Sequence, residues 1–127
     1  MDKTLLVGPD LETGRRILKA LDEADIKISV ALWGFLSQYE DWRLILASRQ
    51  LDTAGIGGAY SLVFKTLKKA GFTVEDTDPI MVVRMKDKFI RELRQIFGKT
   101  QRVEGMRLGN QLIGDRFLEQ GYAYRIT

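Results

Sequence analysis

Apolar residues recur at every third or fourth position in three segments of the chain, and this spacing predicts amphipathic helices. The first helix is expected over residues 10–25, the second over about 59–70 and the third over 87–97. Gly71 directly follows the second segment, as glycine commonly does where a helix ends. Each helix therefore presents an apolar stripe that another layer of the protein must cover.

Three further segments, residues 27–36, 42–48 and 80–85, are apolar at both odd and even positions. A strand with this pattern is covered on both faces, so we expect helices on both sides of a sheet. Trp33 and Trp42 belong to these segments and are expected in the core. The first two strands are separated only by a short polar loop, which favours an antiparallel pair.

The C-terminal part of the chain, residues 103–126, contains the pairs Gly109-Asn110, Gly114-Asp115 and Gln120-Gly121. Such pairs are typical of turns, so the apolar runs between them predict a meander of short strands. The full order is then α-β-β-α-β-α followed by this meander, which predicts an α+β fold with a mixed β-sheet flanked by helices. At this length, residues 1–127 are expected to form a single α+β domain.

Composition excludes several kinds of chemistry. The chain has 127 residues, with no histidine and no cysteine, which rules out disulfides, thiol nucleophiles, Ser-His-Asp triads and zinc sites built on those residues. No cofactor is expected, and binding is favoured over catalysis. No apolar run reaches the length of a membrane helix, and the run at residues 5–7 is too short for a signal peptide, so a cytoplasmic location without membrane contact is expected.

Three strand segments carry a resemblance to a known group of proteins. These are Ala31-Leu32-Trp33, the strand from Trp42-Arg43-Leu44 to Ala47-Ser48, and the closing Ala123-Tyr124-Arg125. Together they are similar to an uncharacterised family of small bacterial proteins, over most of the chain. The resemblance implies a bacterial, cytoplasmic protein, and it implies no activity and no catalytic residue.

Charge is unevenly distributed along the chain. The net charge is +3, but residues 1–83 hold ten basic and twelve acidic residues, whereas residues 84–127 hold ten basic and five acidic ones. Strands 42–48 and 80–85, with the helix between them, form a β-α-β unit whose strands are parallel if they share a sheet. Acidic residues precede both strands and basic residues follow them. The carboxyl-terminal edge of the sheet is therefore expected to be basic.

Ligands of open α/β sheets favour that edge, and helix N-termini there suit an anion. We therefore expect a non-catalytic domain that contacts nucleic acid or another anionic partner. The expected contact residues are Arg49, Gly57, Gly58, Lys86, Lys88, Arg91 and Arg94. Tyr122 and Tyr124 project from one face of a late strand, where they either stack on bases or cover the core, and covering the core is favoured.

Two alternatives remain open at the level of sequence. The first is a protein-interaction subunit or homodimer that uses the C-terminal strands or an open sheet edge, without binding nucleic acid. The second is a magnesium-dependent nuclease or phosphodiesterase that holds its metal with Glu40, Asp41, Asp76 and Asp78 at the opposite, acidic edge. The second is disfavoured because its basic residues would lie far from the metal.

Overall fold

A computed structural model describes residues 8–99 and 103–127, with side chains from residue 11 onward, so the apolar run at residues 5–7 lies outside it. The helices are α1 (Gly8–Glu23), α2 (Arg49–Lys69), α3 (Val74–Thr77) and α4 (Lys88–Phe97), and the strands are β1 (Val30–Leu36), β2 (Asp41–Ala47), β3 (Ile80–Val82), β4 (Arg107–Ile113) and β5 (Arg116–Ile126). The expected α+β fold is confirmed. Within the described ranges, no helix combines the length and apolar character needed to cross a membrane.

The five strands form one sheet in the order β3-β2-β1-β5-β4. β2 and β3 are parallel, with Leu44 opposite Ile80 and Leu46 opposite Val82. The pairs β1–β2, β1–β5 and β4–β5 are antiparallel. The mixed sheet and the parallel β-α-β unit predicted from the sequence are both confirmed.

Helices cover both faces of the sheet, as the strands' two apolar faces require. On one face α1 and α2 pack Leu21 and Leu67 against Trp33, which is 4% exposed. On the other face α4 packs Phe89 and Leu93 against strand residues that include Leu32, Ile45 and Leu118. Trp42 is half-buried and packs against the first of these two cores.

The glycine-rich segment before the second predicted helix is helical, so α2 begins at Arg49, ten residues before the start predicted at about residue 59. The Ser48 hydroxyl accepts a hydrogen bond from the backbone N–H of Leu51, so α2 begins directly after β2. Leu51 is buried in the core, which holds this first part of α2 against the sheet. Gly55 interrupts the helix with a φ of 75°, a conformation that suits glycine. The glycines therefore mark a break within one helix.

The C-terminal segment is a single long hairpin, and the meander of several short strands does not form. β4 and β5 meet at a turn that contains Gly114, while Gly121 lies inside β5. A Cβ atom on Gly121 would lie 3.1 Å from the carbonyl oxygen of Trp33. Gly121 therefore serves close packing between β5 and β1, and it does not form the turn that its sequence context predicted.

Candidate anion-binding cavity

The position of α4 changes the expected distribution of charge. At the N-terminal end of α4, Oδ2 of its N-cap residue Asp87 lies 3.6 Å from a terminal nitrogen of Arg116, the first residue of β5. In the last turn of α4, Nε of Arg94 donates to the carbonyl oxygen of Thr127 at 2.8 Å, beyond the end of β5. α4 therefore runs along β5 in the same direction as that strand.

Since β5 is parallel to β2 and β3, α4 begins at the edge where these strands begin. Lys88 therefore lies at the edge that was expected to be acidic, and of the basic residues of α4 only Arg94 reaches the carboxyl-terminal edge. The prediction that the start of this helix lies at the carboxyl-terminal edge is wrong. The reason is that β3 ends at Val82, and the segment 83–87 that follows it ends at Asp87, which caps α4 beside Arg116 at the start of β5.

One backbone donor at the start of α2, one at the start of α4 and one after β3 are bound within the protein. Ser48 caps the N-terminus of α2. Asp87 caps α4, with its Oδ1 accepting the Phe89 N–H at 2.9 Å. After β3, the Met85 N–H donates to the carboxylate of Asp52, at 3.2 Å to the nearer oxygen. An anion at these positions would have to displace a capping side chain.

The structure does form a cationic cavity, on the β3 side of the sheet. Its volume is about 400 Å³. The residues that line it are Ile56, Met81, Val82, Val83, Arg84, Lys86, Asp87 and Arg116. Three cations and one carboxylate thus surround an apolar floor. We call this the cationic cavity.

Arg116 is the most buried cation of the cationic cavity, with 17% of its side chain exposed. One terminal nitrogen donates to the Tyr39 hydroxyl at 3.4 Å, and the other lies 3.6 Å from Oδ2 of Asp87. Burial acts to lower the pKa of Arg116, but the hydrogen bond with Tyr39 and the negative charge of Asp87 outweigh it, so the pKa is raised. Its Nε is buried and has no hydrogen-bond partner among the described residues.

A second half-buried arginine lies against the same tyrosine. The guanidinium carbon of Arg43 is 5.2 Å from the centre of the Tyr39 ring, a cation–π contact. Nε of Arg43 is also buried, and it too finds no acceptor in the described part of the chain. Tyr39 therefore contacts two arginines, each of which retains an unused N–H group. Buried donors of this kind usually have partners.

The residues predicted to bind an anion are distributed over five places. Of these residues, Lys86 alone lines the cationic cavity, while Lys88 and Arg91 line a second, smaller cavity of about 280 Å³ with Glu92, Gln95 and Gly114. Arg49 is the exposed first residue of α2. Gly57 and Gly58 are exposed within α2, just after its break at Gly55. Arg94 lies at the far end of α4, where it is bound to Thr127.

Sequence analysis missed Arg84, Arg116 and Arg43 as members of this region. Arg116 and Tyr39 are separated by 77 positions in the chain, and only the β1–β5 pairing brings them together. Arg43 occupies a position in β2 that apolar residues would otherwise take. That isolated charge in an apolar strand was the one available signal.

The alternative metal site does not form. In the ranges 8–99 and 103–127, no three acidic side chains are close enough together to hold a metal ion. Asp76 is occupied in a capping box, because its carboxylate accepts the Thr73 N–H at 3.0 Å. Asp41 accepts the N–H of its own neighbour Trp42. Glu40 belongs to the turn between β1 and β2, and Asp78 ends α3.

The two late tyrosines face the core beneath α1. Their rings are 5.3 Å apart and nearly perpendicular. Tyr124 is 7% exposed, and its hydroxyl donates to the Leu11 carbonyl oxygen. Tyr122 is half-buried against the same core. Tyr124 is therefore unavailable for stacking on a base, in agreement with the favoured expectation that it covers the core.

Comparison of the chain with protein-family models, with curated proteins and with solved structures found no match. The resemblance to an uncharacterised family of small bacterial proteins therefore stays a prediction, and any function must be argued from the geometry above.

Proposed function

We propose that this protein is a non-catalytic binding domain that holds the phosphate backbone of a nucleic-acid strand, with one phosphate in the cationic cavity. The observation that carries the proposal is the lining of that cavity, where Arg84, Lys86 and the largely buried Arg116 surround an apolar floor. A phosphate oxygen in the cavity would accept charge-assisted hydrogen bonds from these cations.

The shape and chemistry of the cationic cavity suit a phosphate attached to a larger group. Its volume of about 400 Å³ is within the range of ligand pockets. The planar guanidinium of Arg116 can bind two oxygens of one phosphate. Arg84 and Lys86 are exposed and would neutralise charge at the opening. Ile56 and Met81 offer apolar surface to a sugar or a base.

A second group of cations favours a strand with several phosphates over a single small anion. Lys88 follows Asp87 directly in the chain, and Asp87 lines the cationic cavity. Lys88 and Arg91 then line the second, smaller cavity. A backbone that passes from one cavity to the other would contact both groups, and its binding should weaken with salt as counterions are released. We also propose that the protein acts in the cytoplasm, where such strands occur.

The test measures binding of fluorescein-labelled single-stranded DNA and RNA, each about 15 nucleotides long, by fluorescence anisotropy across a salt series. Lys86→Met is compared with Lys19→Met, which removes the same charge from an exposed position of α1. We expect Lys86→Met to raise Kd about three- to tenfold, and Lys19→Met to change it less than about twofold.

Arg116→Met should raise Kd by about tenfold or more, because it removes a charge-assisted hydrogen bond. Thermal unfolding of the same sample checks that it is folded, and Arg84→Met provides a second cavity variant that is exposed and outside the core. Absence of binding at low salt would overturn the proposal. So would equal losses in Lys86→Met and Lys19→Met, because binding would then follow net charge alone.

A further inference from the structure

A second surface of the protein combines an exposed apolar side chain with an open groove. Val74, the first residue of α3, is 82% exposed. It borders a groove of about 450 Å³ between the end of α2 and α3. The groove is lined by Phe64, Lys68, Phe72, Thr73, Val74, Thr77 and Asp78. We call this surface the α2–α3 patch.

Aromatic contacts fix the walls of the groove. Phe64 is 39% exposed, and its ring lies 5.7 Å from that of Tyr60. Phe72 is 9% exposed and lies beneath the guanidinium of Arg16, at 5.0 Å from the ring centre. The groove therefore has an apolar wall on a helix that is anchored in the core.

The two sides of the α2–α3 patch carry opposite charges. Lys65, Lys68 and Lys69 are exposed on the last turns of α2, and Glu75 and Asp78 are exposed on α3. Within the described residues, none of these five groups is part of an ion pair. Cations and carboxylates thus lie side by side on one surface without neutralising each other.

We infer that the α2–α3 patch binds a second copy of this chain across a two-fold axis. Val74 of each copy would enter the groove beside Phe64 of the other. Lys68 and Lys69 of each copy would face Glu75 and Asp78 of the other. A two-fold interface needs one surface that is complementary to itself, and a protruding residue beside a groove, with cations beside carboxylates, meets that requirement.

The charge pattern distinguishes a second copy from the nucleic acid proposed for the cationic cavity. A second copy can place a carboxylate against Lys68 and Lys69 and a cation against Glu75 and Asp78, whereas a phosphate backbone across the α2–α3 patch would leave these two carboxylates facing like charge. The patch shares no residue with the cationic cavity. Variants of the α2–α3 patch therefore test dimerisation without changing the cationic cavity, so either proposal can be wrong while the other is right.

The test is sedimentation equilibrium of the full chain at protein concentrations from about 2 to 200 µM, a range suited to a modest interface. We expect a monomer–dimer equilibrium. Val74→Asp should raise the dissociation constant about tenfold or more, because it places a carboxylate in the apolar groove. Aspartate is favourable in the first turn of a helix, so α3 should be retained.

Leu112→Asp provides the matched control, because Leu112 is 63% exposed on β4, the strand at the opposite edge of the sheet from β3. It should leave the dissociation constant unchanged. Lys68→Glu should weaken the dimer, and Lys68→Glu combined with Asp78→Lys should restore it. A chain that remains monomeric at every concentration would overturn the inference. A dimer that tolerates Val74→Asp, or that Leu112→Asp weakens equally, would overturn it too.

Discussion

Nε1 of Trp33 donates a hydrogen bond to the hydroxyl of Tyr124 at 3.0 Å, and both side chains are buried. The hydroxyl donates in turn to the carbonyl oxygen of Leu11 at 2.6 Å. β1, β5 and α1 are thus joined through one phenol group. This chain of bonds satisfies polar atoms that would otherwise be unpaired in the core beneath α1.

Tyr124→Phe should destabilise the protein by about 1–3 kcal/mol, because the buried Trp33 N–H loses its acceptor. Urea unfolding followed by circular dichroism measures the effect. Tyr122→Phe is the matched control, since Tyr122 is only half-buried on the same face of β5, and it should cost less. Equal losses in the two variants would contradict the role assigned to the Trp33–Tyr124 hydrogen bond.

The free energy of unfolding should also fall in strongly alkaline solution, because the buried hydroxyl of Tyr124 must keep its proton in the folded protein. Burial raises the pKa of Tyr124 from its ordinary 10 to about 12. Between these two values the unfolded chain has lost the phenolic proton while the folded protein keeps it, so unfolding releases a proton and is favoured as pH rises. The contribution of Tyr124 is complete below pH 10 and is lost as the pH rises to about 12.

The comparison that isolates this effect is the difference in unfolding free energy between the unmodified protein and Tyr124→Phe at several pH values. That difference should be constant up to about pH 9 and should shrink above pH 10. Other tyrosines titrate in both proteins and cancel. A difference that stays constant to pH 11 would contradict the raised pKa.

The close packing of α1 on Trp33 and Tyr124 requires a glycine at position 14. A Cβ atom at this position would lie 2.4 Å from the Tyr124 hydroxyl and 2.7 Å from Nε1 of Trp33. Gly14→Ala should therefore destabilise the protein by about 1–3 kcal/mol, since α1 would have to move away from the sheet. Thermal unfolding measures the loss as a lowered Tm.

Gly57→Ala is the control, because a Cβ there would have no atom within 4 Å and the residue is helical. It should stabilise the protein by about 0.4–1 kcal/mol, by reducing the freedom of the unfolded chain. A stabilising Gly14→Ala would show that α1 does not pack on Trp33 and Tyr124 as closely as described.

Local patterns in the sequence were sufficient for the fold class and insufficient for the site. Strands with two apolar faces, such as the one containing Leu44 and Leu46, predict a sheet that is covered on both sides. The β-α-β order of elements predicts that β2 and β3 are parallel. The position of α4 depends instead on the path of residues 83–87, which carry no periodic signal. The sequence analysis assumed that α4 begins at the edge where β3 ends, and this assumption placed Lys88 at the wrong edge of the sheet.

The glycine-rich segment and the cationic cavity show two other limits of sequence reasoning. Glycine indicates freedom of the backbone, and at Gly55 that freedom produces a break within α2, which begins ten residues before the predicted helix. Arg116 meets Tyr39 only because β5 pairs with β1, and Arg43 reaches the same ring from β2. The spacing of residues along a short segment does not predict contacts between segments that are distant in the chain.

Asp87 has two roles, because it caps α4 and it also places a negative charge in the cationic cavity. Its Oδ1 accepts the Phe89 N–H, while its Oδ2 lies 3.6 Å from a terminal nitrogen of Arg116. Asp87→Asn keeps an oxygen for the cap, and asparagine is as good an N-cap as aspartate. It removes the negative charge that competes with a phosphate for Arg116. We therefore expect Asp87→Asn to leave Tm nearly unchanged and to tighten nucleic-acid binding by about two- to fivefold.

Asp87→Ala removes the cap as well as the charge. It should lower the unfolding free energy by about 1 kcal/mol, while its effect on binding should match that of Asp87→Asn. Anisotropy titrations at one salt concentration, together with urea unfolding, measure both quantities on the same samples. If Asp87→Asn weakens binding, the carboxylate is orienting Arg116 toward the ligand rather than competing with it, and the phosphate cannot occupy the position beside Asp87 that we assign to it.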